Sequence, residues 1–301
     1  MSERLSFEDE INKNKIKSIF LMAVMILFII FLGYIISLIL DPGLFFIIMI
    51  FSIIISLLYT FFSYYFSDKI ALASVRAKEA SSVYHRLLIH TVENMALASG
   101  LPKPRVYVME SEQINAFASG RDPKNAVICV TSGAIKKLSK QELEGVIAHE
   151  MSHIANFDIR FMTLAAVLVG IISIAAEIFL RSLYFSKSRD RGGRAGAIIL
   201  IIGILFSILA PISARLVSFA ISRKREFTAD ATGVKFTRYP PGLASALKKI
   251  KNDHISSEDK HHYAKAMAPL FISNPFSAKK MSNLFSTHPD INERIHRLES
   301  M

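Results

Sequence analysis

The sequence predicts a mostly α-helical membrane protein with a small β-sheet, and three observations carry that expectation. Hydrophobic residues make up 51% of the 301-residue chain, mean hydropathy is +0.37, and the apolar side chains collect in a few long runs. The pentapeptide His149-Glu150-Met151-Ser152-His153 lies in the middle of a well-signalled amphipathic helix. Two short runs, 105–109 and 126–131, are rich in β-branched and aromatic residues and read as strands.

The long runs come first. Residues 19–40 and 43–67 contain no charged side chain, and each exceeds the roughly 20 residues needed to cross about 30 Å of hydrocarbon. They form a hairpin turning at Asp41-Pro42-Gly43. A third span is expected over 161–180, interrupted only by Glu177, and a fourth over 195–222, with Arg215 near its end. That makes four hydrophobic helices in two hairpins. Glu177, deep in its span, is expected to face the bundle interior or to pair with a group such as Arg215. The first run is too long for a secretory signal and lacks a small-residue cleavage site, so it reads as a mature anchor. Four regions follow: a transmembrane hairpin (1–67), a polar block carrying the histidine helix (68–160), the second hydrophobic hairpin (161–222) and a second polar block (223–301).

Charge sets the orientation. Arg4, Lys13, Lys15 and Lys17 precede the first span, Lys69, Arg76 and Lys78 follow the second, and the turn between them has no basic residue. Both flanks therefore belong on the cytoplasmic side. The loop 181–194 resists export, since Arg181, Lys187, Arg189, Arg191 and Arg194 face only Asp190; either the first hairpin dominates orientation or the second is only partly inserted. The net charge of +11 accompanies no nucleic-acid-binding motif, and the basic residues flank apolar spans, as attraction to anionic headgroups requires. A single cysteine, Cys129, permits no disulfide and reads as a buried strand residue.

The first polar block opens with helical spacing over 77–98, ending near Gly100 and Pro102, before the strands 105–109 and 126–131. Between the strands, Asn115-Ala116-Phe117-Ala118-Ser119-Gly120 reads equally as a strand with a turn or as an edge strand that pairs with an extended substrate. The second block contains the break Pro240-Pro241-Gly242, a helix over 243–250, a polar stretch with His254, His261 and His262, and a helix opening at Thr287-His288-Pro289 with proline at its first position. No internal repeat is present.

Ser139-Lys140-Gln141-Glu142 is a capping box that starts the histidine helix. Leu143, Val146, Ile147 and Ile154 then recur at helical spacing and bury one side of it. His149 and His153, one turn apart, are placed to share one tetrahedral Zn²⁺, and Glu150 points the same way without being needed as a ligand. Such a carboxylate is free to take a proton from an attacking water, which is the chemistry of peptide hydrolysis. A third ligand is missing locally. Asn156 and Ile159 stand where an extended HExxHxxGxxH pattern needs glycine and histidine, and Asp158, five residues beyond His153, points well away from the metal face. Glu226, just after the fourth span, is the best candidate, with Asp230 one turn on to orient a ligand histidine. A hairpin of spans three and four returns Glu226 to the face from which His153 departs.

These residues resemble the HtpX-type membrane zinc peptidases, in the group that includes the Ste24 and Oma1 proteases. Glu226-Phe227-Thr228-Ala229-Asp230 is similar to the family's ExxxAD pattern, Asn115-Ala116-Phe117-Ala118 to its NAFA segment, and Thr287-His288-Pro289 to its THP. The resemblance implies an HExxH (gluzincin-like) metallopeptidase core fused to the hydrophobic helices, in a multi-pass protein of the bacterial cytoplasmic membrane with its site on the cytoplasmic side. It further implies one Zn²⁺ per subunit held by His149, His153 and Glu226, with Glu150 as general base. Asn115 to Ala118 would hold substrate backbone, His288 would stabilise the oxyanion, and Asp230 and Arg294, with or without Arg297, would steady the site. Misfolded or excess membrane proteins are the implied substrates, in envelope quality control and stress response. Two other classes fit parts of the chain. A zinc-binding membrane scaffold has no need of Glu150, and a metal transporter calls for paired polar groups at mid-bilayer depth, which the first two spans lack.

Overall fold

In the computed structural model, which describes residues 7–39, 42–185, 203, 223–253, 270–273 and 289–301, the first apolar run forms α1 (Phe7–Ile39) and the second forms α2 (Phe45–Tyr65), joined by a 3-10 turn at Pro42–Leu44. Their patterning is the reverse of a soluble pair. The side chains that α2 buries are Ser52, Ser56, Thr60 and Ser63, while Phe46, Ile50, Phe51 and Leu57 face outward. Small groups let helices approach closely where the surrounding medium is itself apolar, so this arrangement suits hydrocarbon. At one end of α2, Arg121 lies over the Tyr65 ring, Arg160 over Tyr64 and Lys69 over Phe66. Cations stacked on amphipathic rings are the composition of a membrane–water boundary.

A short helix α3 (Ser67–Ser74) leads into β1 (Lys78–Glu79), then α4 (Arg86–Ser99). The helical spacing expected over 77–98 therefore holds only from Arg86. Lys78 and Glu79 instead pair with Val108 and Tyr107 of β2 (Arg105–Met109), because an available strand edge outcompetes the weak helix propensity of the Ser81-Ser82 stretch that follows. β3 (Ala116–Ser119) and β4 (Val127–Thr131) complete a sheet of order β1-β2-β4-β3, with β4 parallel to β2 and antiparallel to β3. β4 is central and wholly buried. β3 is an edge strand, as one of the two readings of that segment had it.

After α5 (Ser132–Lys137) comes α6 (Lys140–Ala155), which carries both histidines and starts with the expected capping box. The expectation of one buried side falls short, because Leu143 and every residue from Gly145 to Ile154 are buried. The sheet and α4 cover one side, while α8 (Arg223–Thr237) and α9 (Pro240–Asn252) cross the other, with α7 (Asp158–Phe185) between in sequence. Two glycines allow that closeness. A Cβ on Gly145 would meet the Leu243 backbone nitrogen of α9 at 2.6 Å, and one on Gly233 of α8 would meet the His149 nitrogen at 3.0 Å.

α6 gives way to α7 through Phe157, which takes φ +58°, and the two helices are bent by 87°. Residues 11–37 and 45–65 are each long and apolar enough to cross a membrane, and the bent α6–α7 pair adds a third span when counted as one. α7 packs Phe161, Leu164, Leu168 and Ile172 on Leu21, Met25 and Phe28 of α1. Glu177 is exposed on α7 rather than turned into a bundle. Arg215 and nearly all of the expected fourth span lie outside the described residues. The last helix, α10 (Ile291–Glu299), begins two residues beyond Pro289, because the Asp290 carboxylate caps it by accepting from the Asn292 N–H. Proline thus precedes the cap instead of filling the first helical position.

Glu142 binds α6 to α9 as well as capping it. Its carboxylate accepts from the Ser139 N–H at 2.7 Å, from Ser245 Oγ at 2.7 Å and from Lys249 Nζ at 2.6 Å. Burial alone would raise its pKa, but these donors and the Lys249 charge hold it down at about 2. A depressed folded pKa gives stability that is full above the unfolded value of about 4.3 and is lost as pH falls towards 2. Glu142→Gln should cost about 1–2 kcal/mol at neutral pH and flatten the stability profile between about pH 4.5 and 2, read by denaturant unfolding of the full chain in detergent.

Candidate metal centre

Four-residue spacing on α6 stacks the two imidazoles, and their rings meet edge to face with centroids 4.8 Å apart. The Nε2 atoms converge at 3.3 Å. Glu226, in the first turn of α8, brings Oε2 within 3.7 Å of His149 Nε2 and Oε1 within 3.7 Å of His153 Nε2. The approach of α8 at Gly233 is what allows a residue 73 positions after His153 to arrive there. Among the described residues these three form the group of His, Cys, Asp and Glu able to hold a metal ion, and all three are buried.

Each histidine turns its other nitrogen outward onto a carboxylate. His149 Nδ1 lies 2.9 Å from Asp230 Oδ1, and His153 Nδ1 lies 3.1 Å from Asp158 Oδ2. An Nδ1–H donated to a carboxylate fixes the tautomer and leaves the Nε2 lone pair pointing at the shared space. Both carboxylates are held in turn by buried arginines. Arg294 of α10 grips Asp230 with two bonds, Nε to Oδ2 at 2.9 Å and Nη2 to Oδ1 at 2.7 Å, and its Nη1 lies 3.5 Å from Glu226 Oε2. Arg225 stands 3.7 Å from Asp158 Oδ1.

Asp158 corrects the sequence reading. Projected along an unbroken helix it faces away from the metal, but the helix breaks at Phe157 and the 87° bend carries it back beneath His153. A polar Asn-Phe-Asp triplet ahead of an apolar span was the available signal; for Arg225 none was distinctive among its basic neighbours. Arg297, by contrast, is solvated: it pairs with Glu293 and lies over the Phe227 ring at 3.7 Å. His288, His254, His261 and His262 lie outside the described residues.

Glu150 sits between the histidines at 2% exposure. Burial pushes its pKa up to about 7, against the lowering influence of His153 and of the nearby Ala118 backbone, while the charge of Glu226 adds to the rise. A carboxyl poised near neutrality suits proton exchange with a reacting group. Ala118 belongs to the edge strand β3, which lies across α6. The rest of that segment is more committed than expected. Asn115 Nδ2 donates to the Ser273 carbonyl at 2.8 Å, Ile272 N–H donates to the Ala116 carbonyl at 3.0 Å, and Phe117 is buried against Phe271 with ring centroids 5.3 Å apart. Asn115, Ala116 and Phe117 therefore hold the chain's own residues 271–273.

The donor set fits zinc. A tetrahedron with Zn–N bonds of about 2.0–2.1 Å has edges of about 3.3–3.4 Å, which the separation of the two Nε2 atoms matches. Charge points the same way: among the described residues, the buried carboxylates of Glu150, Asp158, Glu226 and Asp230 outnumber the buried guanidiniums of Arg225 and Arg294 by two, a surplus that one divalent cation would offset. Unpaired charge so far from water is strongly unfavourable. Cys129 offers no competing ligand, since it lies in the central strand and burial pushes its thiol pKa up.

The chain is similar to known proteins over most of its length. A model described as peptidase family M48 matches residues 84–301. A protease HtpX homolog of Caldanaerobacter subterraneus subsp. tengcongensis is 48% identical over 256 residues, covering 84% of each chain. Another, of Dictyoglomus turgidum, is 40% identical over 296 residues, covering 98% of this chain and 95% of that one. Among solved structures, S. mikatae Ste24p superposes with a TM-score of 0.50 at 18% identity, over 95% of this chain and 66% of that chain, a likeness of fold.

Metal uptake should be proton-linked. Burial by itself lowers the pKa of metal-free His153, but its bond to Asp158 and the charges of Glu226, Asp158 and Glu150 outweigh that and raise it to about 9. Below that pH the ion must displace a proton, so zinc affinity should fall about tenfold per pH unit from 8 to 6, read by competition with a chelator. An affinity flat across that range contradicts the protonated ligand.

Proposed function

The chain belongs to peptidase family M48 as an HtpX-type membrane protease, and from that premise we propose that it hydrolyses peptide bonds at one Zn²⁺ held by His149, His153 and Glu226. The observation that carries this reading is the convergence of three buried donors, with each histidine's far nitrogen on a carboxylate. When bound, the ion supplies a Lewis acid that acidifies water and polarises the scissile carbonyl.

The protein's own residues do the rest. Glu150, buried beside the two imidazoles, accepts the proton of the attacking water and returns it to the leaving amine. Arg294 and Asp230 keep His149 in its donor tautomer, and Asp158 does the same for His153. The β3–β4 register directs the odd-numbered residues 115, 117 and 119 at β4 and turns the carbonyls of Ala116 and Ala118 outward. With the Ala116 carbonyl occupied by Ile272 and Phe117 bridged to Phe271, the outward carbonyl of Ala118 is the group with which an extended substrate would pair. His288, in the stretch similar to the family's THP, is the remaining candidate for the oxyanion. A scaffold or transporter role leaves the buried, proton-exchanging Glu150 without a purpose.

Membrane proteins, misfolded or in excess, are the proposed substrates. The metal helix passes into apolar α7 through a single bend, which sets the site at the base of the hydrophobic bundle. The basic flanks of the first hairpin favour the cytoplasmic face of a bacterial cytoplasmic membrane, with envelope quality control as the setting.

Glu150→Gln in detergent should keep one zinc per chain and lose about 10²–10⁴-fold in the rate of cleavage of an unfolded protein, whereas Glu226→Ala should lose the metal as well. Equal cleavage by wild type and Glu150→Gln would refute the proposed role of Glu150.

A further inference from the structure

The polar start of α1 reaches the metal centre. The expected span begins at residue 19, yet the helix begins at Phe7, and the added turns dock on the junction between α6 and α7. Asn14, 3% exposed, sends its carboxamide N–H groups to two acceptors there: Asp158 Oδ1 at 2.7 Å and the Asn156 carbonyl at 3.0 Å. Around it, Lys15 Nζ lies 5.1 Å from the centroid of the Phe157 ring, and Arg160 lies over the same ring at 5.4 Å. Ser18 Oγ donates to the Asn14 carbonyl at 2.8 Å, one turn along.

The two acceptors bracket the strained residue. The Asn156 carbonyl is one of the groups a helix end leaves without an intrahelical partner, and Phe157 beside it has φ +58°. Asp158 divides its oxygens: Oδ2 faces His153 Nδ1 at 3.1 Å, and Oδ1 takes Asn14 at 2.7 Å, closer than Arg225 at 3.7 Å. Without Asn14, Oδ1 keeps only the longer contact to Arg225 at 3.7 Å, so the carboxylate is less constrained, and with it the imidazole that Oδ2 orients.

We propose that Asn14 is a positioning residue for the metal centre, so that metal affinity depends on the docking of the first membrane helix against the α6–α7 junction. The proposal rests on reading His149, His153 and Glu226 as the ligands. It makes the anchor part of the site: a helix that leaves the junction releases Asp158, and Asp158 releases His153. Nothing in the motifs of the chain points to Asn14, which is one polar residue among several ahead of the span.

The test measures zinc affinity by chelator competition in the full chain in detergent, with the visible absorption of the Co²⁺ form as a second readout and thermal unfolding of the metal-free protein as the folding control. Asn14→Ala should weaken zinc about five- to tenfold, at or below the low end of the 10- to 100-fold loss typical when a direct partner of a ligand is removed. Asp158→Ala should show that larger loss, and adding Asn14→Ala to it should cost nothing more, because the first residue acts through the second. Asn14→Asp keeps the shape, replaces donor by acceptor, and should weaken zinc at least as much while shifting the Co²⁺ spectrum. Wild-type affinity in both Asn14 variants, or the same loss whether or not Asp158 is present, would overturn the proposal and leave the metal reading intact. A wild-type chain that took up no zinc would overturn both.

Discussion

Two imidazole nitrogens held 3.3 Å apart in the buried interior govern how the surrounding elements pack. Each has to present a lone pair inward, so each ring must give its N–H to something on the far side, and that partner must carry charge it cannot leave unpaired. Asp230 with Arg294 answers on one side, Asp158 with Arg225 and Asn14 on the other. Five helices are thereby drawn to one turn of α6: α1, α7, α8 and α10 supply the polar partners, and α9 closes the remaining face through Gly145 and Glu142. The polar contacts of α1, α7, α8 and α10 at this point satisfy the two buried imidazoles, while apolar packing of α1 on α7 completes the docking of the first helix.

The electrostatics explain why the same cluster favours a divalent ion. Without metal, the surplus carboxylates raise the proton affinity of His153, and burial raises that of Glu150; protons do in part what a cation does fully. His149 moves the other way, lowered by burial and by Arg294 despite its bond to Asp230. One ring thus accepts a proton readily and the other resists it, which is the expected response of two close, like-charged sites sharing one space. Burial sets Glu150 apart, whereas the Glu226 carboxylate faces the Nε2 atoms of both histidines.

Much of this was legible in the residues. The capping box at Ser139 placed α6, the spacing of His149 and His153 placed both donors, and the absence of a local third ligand directed attention to Glu226 and Asp230 beyond the second hydrophobic region. Those features are local or periodic, so sequence carries them. Asp158 was misplaced because its position depends on a helix break with positive φ at a phenylalanine, a conformation that no residue type there announces. Asn14 and Arg225 act through tertiary docking alone. The strand at Lys78 and Glu79 replaced an expected helix for the same reason, its conformation being dictated by β2 rather than by its own propensity. The NAFA segment was rightly read as an edge strand in one of its two senses, but most of its outer edge already serves residues 271–273.

The central claim is that histidines from one helix and a glutamate from another complete a single zinc site. X-ray absorption at the zinc edge of the metal-loaded full chain tests it most directly. Wild type should show two imidazole nitrogens and light oxygen scatterers at about 2.0–2.1 Å, and zinc content should fall well below one per chain in both His153→Ala and Glu226→Ala. A sulfur ligand, a third imidazole, or a spectrum indifferent to His153 would contradict it.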